Sequence, residues 1–342
     1  MKNDFIYADE MLLKVSRTFA LNINILSGEL RTAVLLAYLY LRIADTIEDD
    51  AILVTPEKER LLSLFASVFD KKNNMDERLS MFIQALPPHF QGVDNPNYDL
   101  TIHAKRVVPL LKTLPEKYIS PILEVVQKMC GGMISFIKKQ NAFDSWFTLK
   151  TIPDLDEYCF YVAGIVGQML TKVFYARHPR LLKSSLEKMK QLDVSFGLAL
   201  QITNIIKDVK EDAERQVCFI PEEIYKKYGF SEPSELFEGN FPIEKKAKVL
   251  DELIEKAWKH IDDGVNYILL LPRHSLRIRL FCLWPLLMAA ENLKVLKHGF
   301  AVFESEQKAK ISRTKVRQIL KSSTFHFYSN TWIKKTFQGL HP

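Results

Sequence analysis

Two short stretches, "YLYLRIADTIEDD" (38–50) and "NIIKDVKED" (204–212), carry carboxylates in the same DxxED pattern: Asp45, Glu48 and Asp49 in the first, Asp208, Glu211 and Asp212 in the second. On a helix, positions i, i+3 and i+4 share a face, so each triad points its acids one way. Like charges so placed destabilise a helix by about 0.2–0.5 kcal/mol per pair, and one triad alone reads as a solvated acidic face. The company each keeps points elsewhere. Tyr38, Arg42, Asp45 and Asp49 form one polar stripe at i, i+4, i+7 and i+11; Gln201, Asn204, Asp208 and Asp212 form another at i, i+3, i+7 and i+11. Both stripes are set in apolar text, "VLLAYLYL" and "FGLALQITNII". Two facing stripes of this kind would line a polar-capped cavity in a helical bundle.

Carboxylates without His or Cys beside them suit a hard cation. Mg2+ takes one or two carboxylates and completes its shell with water and substrate phosphate, and Mn2+ is the natural substitute. Several such ions around a diphosphate would neutralise a leaving group, and Arg42, Lys207 and Arg215 lie close enough in sequence to hold the same phosphates.

Helices must position these groups. Helical periodicity predicts helices over 29–50, 63–70, 77–86 (stopped by Pro87-Pro88), about 121–140, 154–176, 188–215, 243–271, 275–297 and about 306–321. "QGVDNPNYD" (91–99) reads as a loop. No Gly/Ser-rich linker, repeat or low-complexity segment divides the 342 residues, so a single all-α domain over 1–322 is expected, followed by a basic tail, 323–342.

Composition narrows the class further. Cys130, Cys159, Cys218 and Cys282 are far apart with no CxxC, which suits reduced thiols in a cytoplasmic protein and neither a disulfide scaffold nor a zinc site. The uncharged apolar runs 33–41 and 281–290 fall short of the roughly 18 residues that span a bilayer. Net charge is +6, and the cations gather at the C-terminus: Lys310, Arg313, Lys315, Arg317, Lys321, Lys334 and Lys335, with no acid after Glu306. By charge alone such a tail could meet anionic lipid or nucleic acid, and a solvated helix is its plainer use; a greasy substrate and product would tilt the expectation to a peripheral contact at the inner membrane surface, with no nucleic acid partner.

Four blocks in order, "SRTFALNINIL" (16–26), "YLYLRIADTIEDD", "YCFYVAGIVGQMLTKVF" (158–174) and "LQITNIIKDVKEDAERQVCFIP" (200–221), resemble the signatures of the squalene/phytoene synthase family. The resemblance spans about residues 12–300. It implies an isoprenoid synthase helical bundle around a central hydrophobic cavity, and head-to-head condensation of two prenyl diphosphates. It also implies Asp45, Glu48, Asp49, Asp208, Glu211 and Asp212 as metal ligands, and Ser16, Arg17, Phe19, Arg42, Gln201, Asn204, Lys207 and Arg215 as substrate contacts. Tyr38 and Tyr158 become pocket residues, Tyr158 as the proton-abstracting group. Lys207 stands where many members carry Arg, which keeps the charge and loses the fork.

Residue by residue the plainer uses are helix capping for Ser16, core packing for Tyr158, and close helix approach for Gly164 and Gly167. Within the family, "VAGIVG", "FCLWPLLMA" and "KAKISRTKVRQ" (308–318) resemble the squalene synthase branch. That branch implies farnesyl diphosphate as substrate, presqualene diphosphate as intermediate, and NADPH as reductant. Arg17, Arg42, Lys207, Lys310 and Arg313 become contacts for its phosphates, and a monomer is expected. The alternatives are a phytoene or dehydrosqualene synthase needing no reductant, and a non-catalytic assembly factor.

Overall fold

The structure is a computed structural model. It describes residues 1–140, 145–239, 241–297, 302–303 and 311–341, with the side chain of Arg17 outside the described set. Its packing divides the chain into two compact units, Met1–Ala142 with Met169–Lys183, and Phe143–Gln168 with Ser184–Pro342.

The first unit opens with α1 (Lys2–Val15), α2 (Arg17–Ile25) and α3 (Gly28–Glu48), and continues through α4 (Thr55–Val68), α5 (Met75–Gln84), α6 (Pro96–Ile102), α7 (Ala104–Val107) and α8 (Glu116–Gln140). α3 is its axle. Leu36, Leu39, Tyr40, Ile43 and Ala44 are fully buried, and α8 and α4 pack on it. Tyr40 sits 5.1 Å from Phe69 by ring centroids, and its hydroxyl donates to the Val107 carbonyl at 3.0 Å. That bond meets the demand of a phenol buried among hydrocarbons. α3 ends two residues before the expected boundary because the Asp50 carboxylate accepts the Ile52 and Leu53 N–H groups, turning the chain. α8 begins at Glu116 and carries Pro121 inside it, where the sequence suggested a start. The expected loop 91–99 contains the first turn of α6, capped by Asn95 accepting from the Asn97 N–H.

The second unit contains the two-residue strand β1 (Phe147–Thr148) and α9 (Ile152–Cys159), then a π-turn at Phe160–Gly164 that runs into the first residues of α10 (Ile165–Arg177), whose part from Met169 onward belongs to the first unit. Here α9 starts from a full capping box, in which Thr151 accepts from Asp154 N–H while Asp154 accepts from Thr151 N–H. The stretch expected as one helix over 154–176 is thus interrupted by a widened turn. By length and composition Ile152–Arg177 could cross a bilayer, a possibility that counting uncharged runs overlooks; half of its apolar window is buried in protein, as in a core helix.

After α11 (Pro179–Leu182) come α12 (Leu186–Glu214), β2 (Val217–Cys218), α13 (Glu222–Lys227), α14 (Ile243–Leu270), α15 (Leu276–Lys297), α16 (Arg313–His326) and α17 (Asn330–Leu340). β1 and β2 are parallel, pairing Phe147 with Val217 and Thr148 with Cys218. α12 packs on α14, α15 and the π-turn. The backbones meet closely there. A Cβ on Gly197 would lie 2.3 Å from the Ala163 carbonyl oxygen, and one on Gly167 would lie 1.9 Å from the Asp193 carbonyl oxygen. So close approach is the use of Gly167. The last basic helix runs 313–326 where 306–321 was expected, and residues 306–310 lie outside the described set. The 323–342 tail supplies the end of α16 and all of α17, with Ile333 and Phe337 buried. All four cysteines are free and buried.

Candidate active site

In the first unit the acidic triad occupies the last turn of α3. Asp45 and Glu48 are half-buried, and Asp49 is the exposed C-cap, its N–H donating to the Asp45 carbonyl at 2.8 Å. The predicted stripe is real at atomic level. Arg42 donates from Nη2 to the Tyr38 hydroxyl at 3.1 Å, and its Nη1 lies 3.7 Å from Asp45 Oδ2. The guanidinium also lies 5.6 Å from the Tyr38 ring centroid, and that ring lies 5.4 Å from Phe19 on α2. Arg42 Nε is buried and has no hydrogen-bond partner among the described residues, an uncompensated donor next to the acids.

Burial is the chief influence on Asp45. It pushes the carboxyl up to about 6, with the Arg42 charge opposing and the Asp49 charge adding to the rise. The charged form of Asp45 is thus disfavoured, and a dication bound there would relieve the same desolvated charge. Ser16 caps α2 by accepting from the Phe19 N–H at 3.2 Å, its plainer expected use. Arg17 begins α2, but its side chain is outside the described set.

In the second unit α12 carries the other triad near its C-terminus. Asp212 is buried, Asp208 half-buried and Glu211 exposed. Lys207 bridges the stripe, donating to Asn204 Oδ1 at 3.0 Å and standing 3.2 Å from Asp208 Oδ2. Arg215, the C-cap of α12, pairs with Asp212 Oδ1 at 2.6 Å. Gln201, half-buried, lies a turn earlier. Gln216 follows in the left-handed region at φ 57°, and its carbonyl accepts the Phe147 N–H at 2.9 Å, which is how β1 is tied to the end of α12. Tyr158, on α9 just before the π-turn, is buried with its ring stacked on Phe219 at 4.3 Å. Of the expected reductant contacts, Lys310 lies outside the described residues, and Arg313 is exposed at the first position of α16.

Sequence reasoning missed three supports. Asp50 closes the turn after the first triad, Lys58 donates to the Glu48 carbonyl at the end of α3, and Phe219 backs Tyr158. The third acid of "EDD" before an apolar run was the signal for Asp50; Phe219 lay inside the quoted "CFIP".

The donor chemistry fits a magnesium-type ion. Each triad is all oxygen. Among the described residues no three carboxylates, imidazoles or thiols converge into a ready-made cage. An ion that borrows water and phosphate to complete its shell needs no such cage. In each triad a basic side chain already lies against the acids: Arg42 in the first, Lys207 and Arg215 in the second. Those cations can turn from carboxylate to phosphate when metal takes their place.

A family model described as squalene/phytoene synthase matches residues 12–315. Squalene synthase 1 of Arabidopsis thaliana is 33% identical over 296 residues, which are 86% of this chain and 65% of the plant protein. The chain thus spans somewhat less than two thirds of that relative. Squalene synthase of Solanum lycopersicum is 33% identical over 93% of this chain and 72% of its own length. Among solved structures, a ligand complex of TcSQS superposes with a TM-score of 0.78 at 25% identity, covering 98% of this chain and 96% of that one. A dehydrosqualene synthase complex shares the fold, with a TM-score of 0.61 at 20% identity over 96% of this chain and 98% of its own.

Proposed function

The chain belongs to the squalene/phytoene synthase family, and we propose that it is a prenyltransferase of the squalene synthase type. In this reading it joins two farnesyl diphosphates head to head into presqualene diphosphate and rearranges that product reductively, with NADPH, to squalene. The observation that carries the reading is the pairing of cation with acid in both triads, Arg42 on Asp45 and Arg215 on Asp212.

Asp45, Glu48 and Asp49 would hold metal at one triad, and Asp208, Glu211 and Asp212 at the other. Mg2+, when bound, supplies the positive charge that lets an allylic carbon–oxygen bond ionise. The chain's own groups do the rest. Arg42, with its uncompensated Nε, and Lys207 and Arg215 receive diphosphate oxygens once the carboxylates turn to metal. Phe19 and Tyr38 offer aromatic faces to a developing carbocation. Tyr158, held flat against Phe219, is assigned the proton abstraction, with released diphosphate as its acceptor. Gln201 and Asn204 line the same face of α12, and Lys310 and Arg313 are assigned to the reductant's phosphates. The names of the two plant relatives support the squalene branch over a dehydrosqualene or phytoene synthase.

Incubation with farnesyl diphosphate and Mg2+, with and without NADPH, followed by mass spectrometry, tests the reading. Squalene formed only with NADPH is expected, and Asp45→Asn or Asp208→Asn lowers turnover at least about a hundredfold. Dehydrosqualene or phytoene formed regardless of NADPH, or full turnover in both variants, would overturn it.

A further inference from the structure

The C-terminal helix pair carries a surface that neither triad uses. On α16, Arg313, Arg317, Lys321 and Phe325 succeed one another at four-residue steps and form a single exposed ridge. Phe325 is 63% exposed and Tyr328, just past the helix, is 55% exposed; among the described residues they are the only aromatics in the exposed large apolar set. Lys334 and Lys335 on α17 are exposed as well, and no acid occurs from Ile311 to the last residue.

The ridge is not a frayed end. Arg279, fully buried on α15, donates to the Phe327 carbonyl, the Leu271 carbonyl and Asn330 Oδ1, each at 2.8 Å. Trp284 Nε1 donates to Ser323 Oγ at 2.9 Å, and Ile319, Ile333 and Phe337 are buried beneath. The turn between α16 and α17 is therefore clamped from inside while two aromatic rings project outward. Leaving such rings in water forgoes favourable burial, so they suit an apolar medium that is also anionic.

We propose that this ridge docks the protein on an anionic lipid surface, with Phe325 and Tyr328 entering the headgroup region and Arg317 and Lys321 meeting lipid phosphates. The inner face of α16 is occupied by protein, so side chains, not the helix itself, reach the bilayer. Aromatic rings favour the headgroup level, and clustered cations favour anionic leaflets. A single-stranded nucleic acid is the poorer occupant, because stacking platforms interleave aromatics with cations along a groove, whereas here the rings stand together at one end. The proposal does not depend on the metal assignments.

Flotation with vesicles of phosphatidylcholine alone, or mixed with phosphatidylglycerol, tests it. The full chain is expected to float with the anionic vesicles, to bind neutral ones weakly, and to detach as salt rises. Arg317→Glu with Lys321→Glu lowers binding at least about tenfold, and Phe325→Ser about tenfold at constant charge, both with unchanged thermal unfolding. Failure of the unmodified chain to float, full binding by both variants, or capture of single-stranded RNA through the same residues without vesicle binding, would overturn the proposal.

Discussion

The Asp50 carboxylate, wholly shielded from solvent, accepts a 2.8 Å hydrogen bond from the Tyr98 hydroxyl across 48 residues of sequence. His89 Nε2 lies 3.1 Å from the same oxygen, while the other oxygen takes the Ile52 and Leu53 N–H groups. This knot stands one residue beyond the first acidic triad, so it ties the chain leaving α3 to α6 and to the turn at Pro88–Phe90.

Breaking the knot is expected to destabilise the fold. Tyr98→Phe costs about 1–2 kcal/mol and Asp50→Asn about 2–3 kcal/mol, read from urea unfolding. Burial raises the Asp50 pKa, but Tyr98, Leu53, His89 and Ile52 together outweigh it and hold the carboxyl below its ordinary value. The stabilisation is therefore present above the unfolded pKa of about 3.9 and is lost as pH falls through the lower folded value. An Asp50→Asn protein as stable as the parent at pH 7 would refute this account.

Asp45 runs the other way. Its folded value of about 6 lies above the unfolded one, so the charge penalty is present above pH 6 and is relieved as pH falls from 6 towards 4. Asp45→Asn should raise the metal-free melting temperature at pH 8, and that advantage should vanish near pH 4. Mg2+ must displace the same proton, so its calorimetric affinity should weaken about tenfold per pH unit below 6. A flat affinity from pH 5 to 8 would contradict it.

The glycines of the α12 crossing tolerate no side chain. Gly197→Ala and Gly167→Ala place a methyl within 2.3 Å and 1.9 Å of backbone oxygens. Each is expected to cost about 3 kcal/mol or more, or to prevent folding, because backbone cannot step aside as a side-chain tip can. Gly131, with open space around its Cβ position, is the control and should accept Ala with little change. Wild-type unfolding curves for Gly197→Ala would show that the helices can part without penalty.

Much of the site was legible because a helix converts spacing into geometry. The Tyr38–Arg42–Asp45 contacts follow from a four- and a three-residue step alone, and Lys207 meets Asn204 over three, whereas the pair between the neighbours Lys207 and Asp208 is one that no such step predicts. Helix ends were less legible. The true end of α3 depends on an Asp50 whose partners Tyr98 and His89 are far along the chain, and the π-turn at Phe160–Gly164 lies where glycines bring α12 close. Neither cause is local, so no periodicity within one segment reveals it.

By itself, then, the order of residues determined the helical class, the two oxygen-rich faces and the cations beside them, since each rests on interactions within a turn or two of one helix. Tertiary packing alone decided that burial would push the Asp45 carboxyl up to about 6, that Tyr158 would lie flat on Phe219, and that Arg279 would clamp the turn bearing Phe325. The physical reason is common to all three. Desolvation, ring stacking and buried hydrogen bonding depend on which distant segments exclude water from a group, and only the folded chain brings those segments together.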